Sequence, residues 1–426
     1  MPFSAITLAS SLLPTSCRFA SIYDAKEKEY ISEVELIDLV KEKLLDGRRT
    51  LRNDQSGSLA CLSVRFALEF NMDGTAGDIV RTQVERHMRL CLAATAGRDM
   101  LITLAGSEPL LAEAAYELMK GTRSNPVHHL ANHRDLNCVD RGRRGELVAA
   151  LLIMRACDAA RAASGRRWVS VEAFMEELLP PAKYHILKES FPTFYRAKER
   201  LEFAATFKDY GIWFNHVIKV EKDTITMFSA DHLWKFITRG AMIMCSDNQE
   251  GIDIVIPICH TRKALSRHSV TAILVQVKNS ERYQLKIHKS LFDGMDPISL
   301  GIFPDKVDPK PVIRIVFALA ALDAGVDFLD ARQRERHHTD RFTAFDVWCA
   351  GLDKETFNHI GGDMSSYRLL LERSLRPHDA FELKEDTELD EETRRLRGSL
   401  RRRMAPLTTD DDAHHGIHLR ESKSTT

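Results

Sequence analysis

Ala272-Ile273-Leu274-Val275-Gln276-Val277-Lys278 is rich in β-branched and aliphatic residues and runs into a turn signal, Asn279-Ser280. It reads as a buried strand. Side chains alternate across a strand, so Gln276 and Lys278 emerge on one face and Ile273, Val275 and Val277 on the other. An amide and an ammonium at the end of an apolar strand are costly to bury without partners. The preceding run, Gly251-Ile252-Asp253-Ile254-Val255-Ile256-Pro257, is built alike, with Asp253 and Val255 facing away from Ile252, Ile254 and Ile256. A polar, basic connector, His260 to His268, joins the two. An antiparallel hairpin here sets Asp253 beside Gln276 and Lys278. A carboxylate, an amide oxygen and a lysine on one sheet face make a candidate divalent-metal site, with a cation to hold a water.

Outward from this hairpin, the 426-residue chain has room for two or three domains with proper cores. Hydrophobic residues make up 44% and charged residues 28%, an ordinary globular composition. A net charge of −1 excludes a general polycation, so any nucleic-acid site must come from local basic patches. The eight cysteines are scattered without a CxxC pair, which reads as reduced thiols of an intracellular protein and argues against zinc. No run reaches the roughly 20 apolar residues of a membrane span. Met1 to Cys17 lacks the basic opening of a secretory signal.

Residues 1–25 read as a loose leader, and the part to about 125 as mainly helical. Helices are expected over 27–45, 60–70, 78–94 and 109–119, with a short strand at Met100–Leu104. No phosphate-binding glycine motif occurs there. In 121–142, His128, His129, His133, Asp135 and Cys138 fit no common zinc spacing. A helix over about 143–163 carries Glu146 in its first turn, where a carboxylate also suits the helix dipole. Residues 165–235 read as a helical insertion, with Trp213–Val220 open to helix or strand. Ala241–Cys245 is the first strand of a meander, and Pro311–Leu319 a further buried strand. Phe345–Leu375 reads as a small helical unit, and 377–426 as a disordered charged tail. Its six arginines between Arg394 and Arg403 suit nucleic-acid contact, a nuclear address or a solvated helix beside its acidic neighbour.

The order is helix with Glu146, strand, strand with Asp253, strand ending Gln276-Val277-Lys278, helix, strand. This order resembles the core of the restriction-endonuclease-like PD-(D/E)XK nucleases. More narrowly, Arg144-Gly145-Glu146-Leu147, Gln249 to Pro257 and Ala272 to Asn279 look like the nuclease domain of fungal Crinkler-related proteins, in which a P-loop ATPase often precedes it. The resemblance covers roughly 100–380, and the ATPase signature is absent. It implies an α+β fold with an α/β core: a small mixed sheet flanked by helices, in a nuclease-like domain over 126–376 after a helical N-terminal region at 1–125.

The resemblance also implies a site. Asp253 is a direct ligand of Mg²⁺ or Mn²⁺, Gln276 offers its side-chain oxygen with the Val277 carbonyl beside it, and Glu146 completes the shell. Lys278 orients the attacking water, and the substrate is nucleic acid, DNA first. Hard oxygen ligands suit Mg²⁺, which makes a nucleophile at neutral pH and stabilises developing charge. Gln276 in the acidic position removes one negative charge. The other reading is a non-catalytic module of the same fold that binds nucleic acid or protein. Taken singly, Lys278 suits an edge-strand lysine, Asp253 a turn former and Gln276 a satisfied amide. Arg262, Lys263, Arg267, His268 and the 286–289 segment are expected near the site, as phosphate contacts or as solvated loop residues.

Overall fold

The computed structural model describes residues 32–375 apart from 52–54, 69–75, 95–100, 107–108, 121–125, 133–143, 197–198, 221–227, 247–248, 305–306 and 330–340. The leader, His133, Asp135, Cys138 and the arginine-rich tail lie outside the described residues. The chain begins with helices α1 (Glu33–Leu44), α2 (Gln55–Phe66) and α3 (Ala76–Arg86), a two-stranded ladder of β1 (Leu90–Ala94) and β2 (Leu101–Leu104), then α4 (Pro109–Met119) and α5 (Pro126–Asn132). A long α6 (Arg144–Ser164) follows. The next segment holds β3 (Val169–Ser170), α7 (Val171–Leu178), α8 (Pro181–Lys188), α9 (Phe203–Phe207), β4 (Tyr210–Ile212), β5 (His216–Lys219) and α10 (Ala230–Thr238). The rest comprises β6 (Ala241–Met244), β7 (Ile254–His260), β8 (Val270–Lys278), α11 (Lys289–Asp293), β9 (Val312–Ala318), β10 (Gly325–Phe328), β11 (Ala344–Ala350) and α12 (Met364–Leu375).

The expected hairpin is the centre of the sheet. β7 and β8 pair antiparallel, with Ile254 opposite Val275 and Cys259 opposite Val270. β9 and β11 extend the sheet in parallel on one side, and β10 closes it antiparallel. The other edge of β7 is shared: β6 takes its start and β4 its end. With β5 on β6 and β3 on β4, the mixed sheet has nine strands. The fold is α+β, with a sheet larger than the small one expected.

Two apolar layers cover its faces. Ile254, Ile256, Ile273 and Val275 join a core with Leu147, Val148 and Leu151 of α6, and the same cluster runs on through Leu36, Leu62 and Leu111 of the N-terminal helices. Val255, Leu274 and Ala272 face a second core with Leu233 and Phe236 of α10 and Phe292 of α11. Ile252 belongs to this second core rather than sharing a face with Ile254, because the chain bends at Asp253 just before β7 starts.

Three expectations are corrected, and one left open is decided. Residues 78–94 are not one helix: α3 stops at Arg86, Met88 takes a positive φ of 60°, and Leu90–Ala94 pairs with β2. Residues 165–235 are not purely helical, since β3, β4 and β5 all join the main sheet. Within Trp213–Val220, open to helix or strand, His216–Lys219 forms a strand, β5. Phe345–Leu375 begins with a strand, not a helix: β11 pairs along its whole length with β9. A continuous apolar run has no period to separate buried strand from buried helix. His128 of α5 has a structural partner, its Nε2 lying 2.6 Å from Asp363 Oδ1. No helix among the described residues is long and apolar enough to cross a membrane.

Candidate active site

The β7–β8 ladder ends at Ile254 opposite Val275, and Asp253, at the bend just before it, bonds β8 on either side of Gln276. Backbone bonds fix it from both sides. Its N–H donates to the Val275 carbonyl at 2.9 Å, and its carbonyl accepts from the Cys245 N–H at 2.8 Å. Its side chain faces β8, where Oδ2 accepts the Val277 N–H at 2.6 Å. The contact the structure gives Val277 is therefore through its amide N–H, while the resemblance assigned its carbonyl to the metal.

Burial pushes the Asp253 carboxyl above its ordinary value, against the Val277 hydrogen bond and the charge of Lys278, which both pull it down. Lys278 thus acts on Asp253 through its charge; its ammonium makes no hydrogen bond or ion pair among the described residues. Gln276 is 7% exposed.

Glu146 reaches the same place from another element. Gly145, the residue before it, packs so closely on Asn279 that a Cβ there would overlap the Asn279 amide. That contact sets the start of α6 against the end of β8. The thiol of Cys245, just past β6, is pushed well above its ordinary range, first by burial and then by the charges of Asp253 and Glu146. Two carboxylates from distant parts of the chain therefore act on one sulfur. That thiol stays protonated and is a poor metal ligand.

The sequence-derived residues Glu146, Asp253, Gln276 and Lys278 are all gathered at one end of the sheet. The basic connector is not. Asp253 directly precedes β7 and Lys278 closes β8, so Arg262, Lys263, Arg267 and His268 sit at the far end of the hairpin, about 20 Å away. There Arg262 pairs with Asp209 at 2.9 Å and Arg267 with Asp231 at 3.2 Å. The 286–289 segment does lie at the site's end, since it leads into Gly294, whose carbonyl abuts Gly251.

Sequence reasoning missed Asn279, Ser246 and Cys245 as neighbours of the site. Asn279 read only as a turn, and nothing in the sequence tied the end of β6 to Asp253. Gln276 Oε1, Asn279 Oδ1 and Ser246 Oγ are all buried without a hydrogen-bond partner among the described residues. Buried acceptors are normally satisfied. Oxygen atoms with spare lone pairs are the kind of ligand a hard cation takes. With Gln276 in place of an acid, no group of three His, Cys, Asp or Glu residues suited to a metal occurs among the described residues.

Compared with known families, residues 50–293 match the model of a domain of unknown function, DUF8736. The match spans more than half of the chain and includes Glu146, Asp253, Gln276 and Lys278. No curated protein and no solved structure matches.

Proposed function

The chain belongs to the DUF8736 family, and we propose that it is a metal-dependent nuclease that hydrolyses phosphodiester bonds, with DNA as its substrate. The observation that carries this is the hydrogen bond from the Val277 N–H to the Asp253 carboxylate, which ties the acid to the strand of Gln276 and Lys278, while Gly145 packed on Asn279 brings the start of Glu146's helix to the same strand end. The reading keeps the resemblance to PD-(D/E)XK nucleases and adds the oxygen atoms around it.

Asp253 and Glu146 would hold Mg²⁺ or Mn²⁺ with the side-chain oxygen of Gln276. When bound, the ion lowers the pKa of water and stabilises charge developing on the phosphate. The residues supply the rest. Asp253 is held in place by the Val277 N–H, so its free oxygen points in one direction. Lys278 places a positive charge beside it and orients a water or the phosphate. Lys286 and Lys289, both exposed beyond β8, contact the nucleic-acid backbone.

The test is cleavage of single- and double-stranded DNA, and of RNA, by the full chain with Mg²⁺, Mn²⁺ or EDTA. Mn²⁺- or Mg²⁺-dependent cleavage that Asp253→Ala and Lys278→Ala each abolish supports the proposal. Absence of cleavage with every substrate and both metals overturns it.

One observation favours a second reading. Gln276 leaves the site with two carboxylates, which weakens its hold on a dication. A non-catalytic module with the same fold would bind DNA or a protein partner without metal, and Asp253→Ala would leave that binding intact.

A further inference from the structure

At the opposite end of the sheet lies a cavity of about 870 Å³, large enough for a single small molecule. It opens between the β7–β8 connector, the start of β3 and the segment around β4. Trp168 and Trp213 line it, with ring centroids 6.2 Å apart and planes inclined by 33°, so they present one continuous aromatic wall. Trp213 is fixed from behind. Its Cη2 lies 2.9 Å from where a Cβ on Gly240 would be, and Gly240 holds a φ of +61° that a side chain would oppose. The indole N–H of Trp213 is buried and has no acceptor among the described residues. Tyr210 completes the aromatic lining.

Charge at this cavity is one-sided. Arg166, Lys208 and Lys263 line it, all exposed, and none makes an ion pair among the described residues. The one carboxylate in its wall among the described residues, Glu113, is already engaged. It accepts from Arg161 at 2.7 Å and from Asn215 at 3.0 Å, with Arg167 at 3.6 Å. Burial would hold that carboxyl up, but these cations and the Asn215 amide bring it below its ordinary value, so it stays ionised and internally neutralised. The cations are left for a ligand.

From this combination we infer that the cavity binds a nucleoside phosphate, either free or as the phosphorylated end of a strand. A flat ring stacks on the tryptophan wall, and the phosphate meets Arg166, Lys208 and Lys263. Tryptophan faces accept any nucleobase, and several uncommitted cations suit a multiply charged phosphate better than a single carboxylate. This site lies about 20 Å from Asp253 along β7, so its ligand is not the phosphate at the proposed cleavage centre. The inference does not depend on the nuclease reading.

The test is titration of the full chain with AMP, with 5′-phosphorylated tetradeoxyadenylate, with adenosine and with inorganic phosphate, followed by tryptophan fluorescence and calorimetry in EDTA. AMP or the tetranucleotide quenches fluorescence and binds at least about tenfold tighter than adenosine or phosphate alone. Which of the two binds tighter identifies the source. Arg166→Glu with Lys263→Glu, both at exposed positions, and Trp168→Ala each weaken binding by about tenfold or more, while Asp253→Ala leaves it unchanged. The inference is overturned if neither nucleotide binds, if the charge-reversal and tryptophan variants bind normally, or if only Asp253→Ala abolishes binding.

Discussion

The carboxylate of Asp253 accepts a 2.6 Å hydrogen bond from the backbone amide of Val277, so the acid and the strand that carries Lys278 are tied together at one point. The same carboxyl has its pKa raised, by burial first. A carboxyl whose pKa is raised on folding contributes stability that is complete below its ordinary value, 3.8, and is lost as pH rises through the raised value. At neutral pH the metal-free protein therefore lacks a contribution that it holds in acid. Asp253→Asn, whose side-chain oxygen keeps the Val277 bond, is expected to unfold at a higher temperature than the parent at pH 7 in EDTA. The difference should shrink as pH falls toward 3.8. Adding Mn²⁺ should raise the parent's midpoint and not the variant's. Thermal unfolding at several pH values, with and without metal, reads all three.

The close approach of Gly145 to Asn279 makes the second prediction. Gly145→Ala drives a methyl into the Asn279 amide and moves either that side chain or the start of α6 with Glu146. Overpacking of this kind costs about 1–3 kcal/mol. Asn279→Ala in the same chain removes the obstacle, so the double variant should regain most of the lost stability. Denaturant unfolding of both single variants and the double measures the coupling. If Gly145→Ala is neutral alone, the helix and strand do not meet as described.

Arg314 of β9 and Asp346 of β11 stand side by side in register and form a two-pronged ion pair, at 2.6 and 2.7 Å. Both side chains are essentially inaccessible, and Arg314 also donates to the Phe292 carbonyl and faces the rings of Phe194, Phe292 and Phe342. Asp346→Ala leaves a buried cation with one charged partner gone and should cost about 3–5 kcal/mol. Replacing both residues by apolar ones, Arg314→Met with Asp346→Leu, should recover most of that loss, because the pair's attraction mainly offsets its own desolvation. Urea unfolding of the two chains separates these outcomes.

What the sequence made legible follows from period and range. The β-rich run Ala272–Lys278 and the turn-rich connector were enough to set the hairpin, and the hairpin brings Asp253 to the Lys278 end of β8. Glu146 came from helix position and from resemblance, and its helix does start against Asn279. Ala344–Ala350 was misread because all seven residues are buried, which erases alternation, and its partner β9 lies some thirty residues back. Leu90–Ala94 was misread because Leu90 and Leu92 prolong the helical spacing of α3, while the break at Met88 is a backbone angle that no residue type there announces. Ser246 and Cys245 join the site only through the ladder between β6 and β7, a pairing that spans a loop of ambiguous length. The far end of the hairpin shows the same limit. Composition marked its loop as basic, but only the topology separates it from Asp253.

His216 provides a test away from Asp253, at the back of Asn215 in the cavity wall. It is 1% exposed, its Nδ1 lies 2.8 Å from the Asn215 side-chain oxygen, and burial, with Arg239 and Arg65 nearby, lowers its pKa from 6.5 to about 3. A histidine whose pKa is depressed on folding contributes stability that is complete above 6.5 and is lost as pH falls toward 3, because the unfolded chain takes up a proton that the folded one refuses. Within that window this residue alone should make the unfolding free energy fall by up to about 1.4 kcal/mol per pH unit. His216→Gln can keep the bond to Asn215 and cannot titrate. Its unfolding free energy should therefore depend less steeply on pH between 6.5 and 3 than the parent's, even if it is less stable at pH 7. Equal slopes for the two chains would mean that His216 is hydrated, and that the junction of α2, β5 and the end of α10 is open to water.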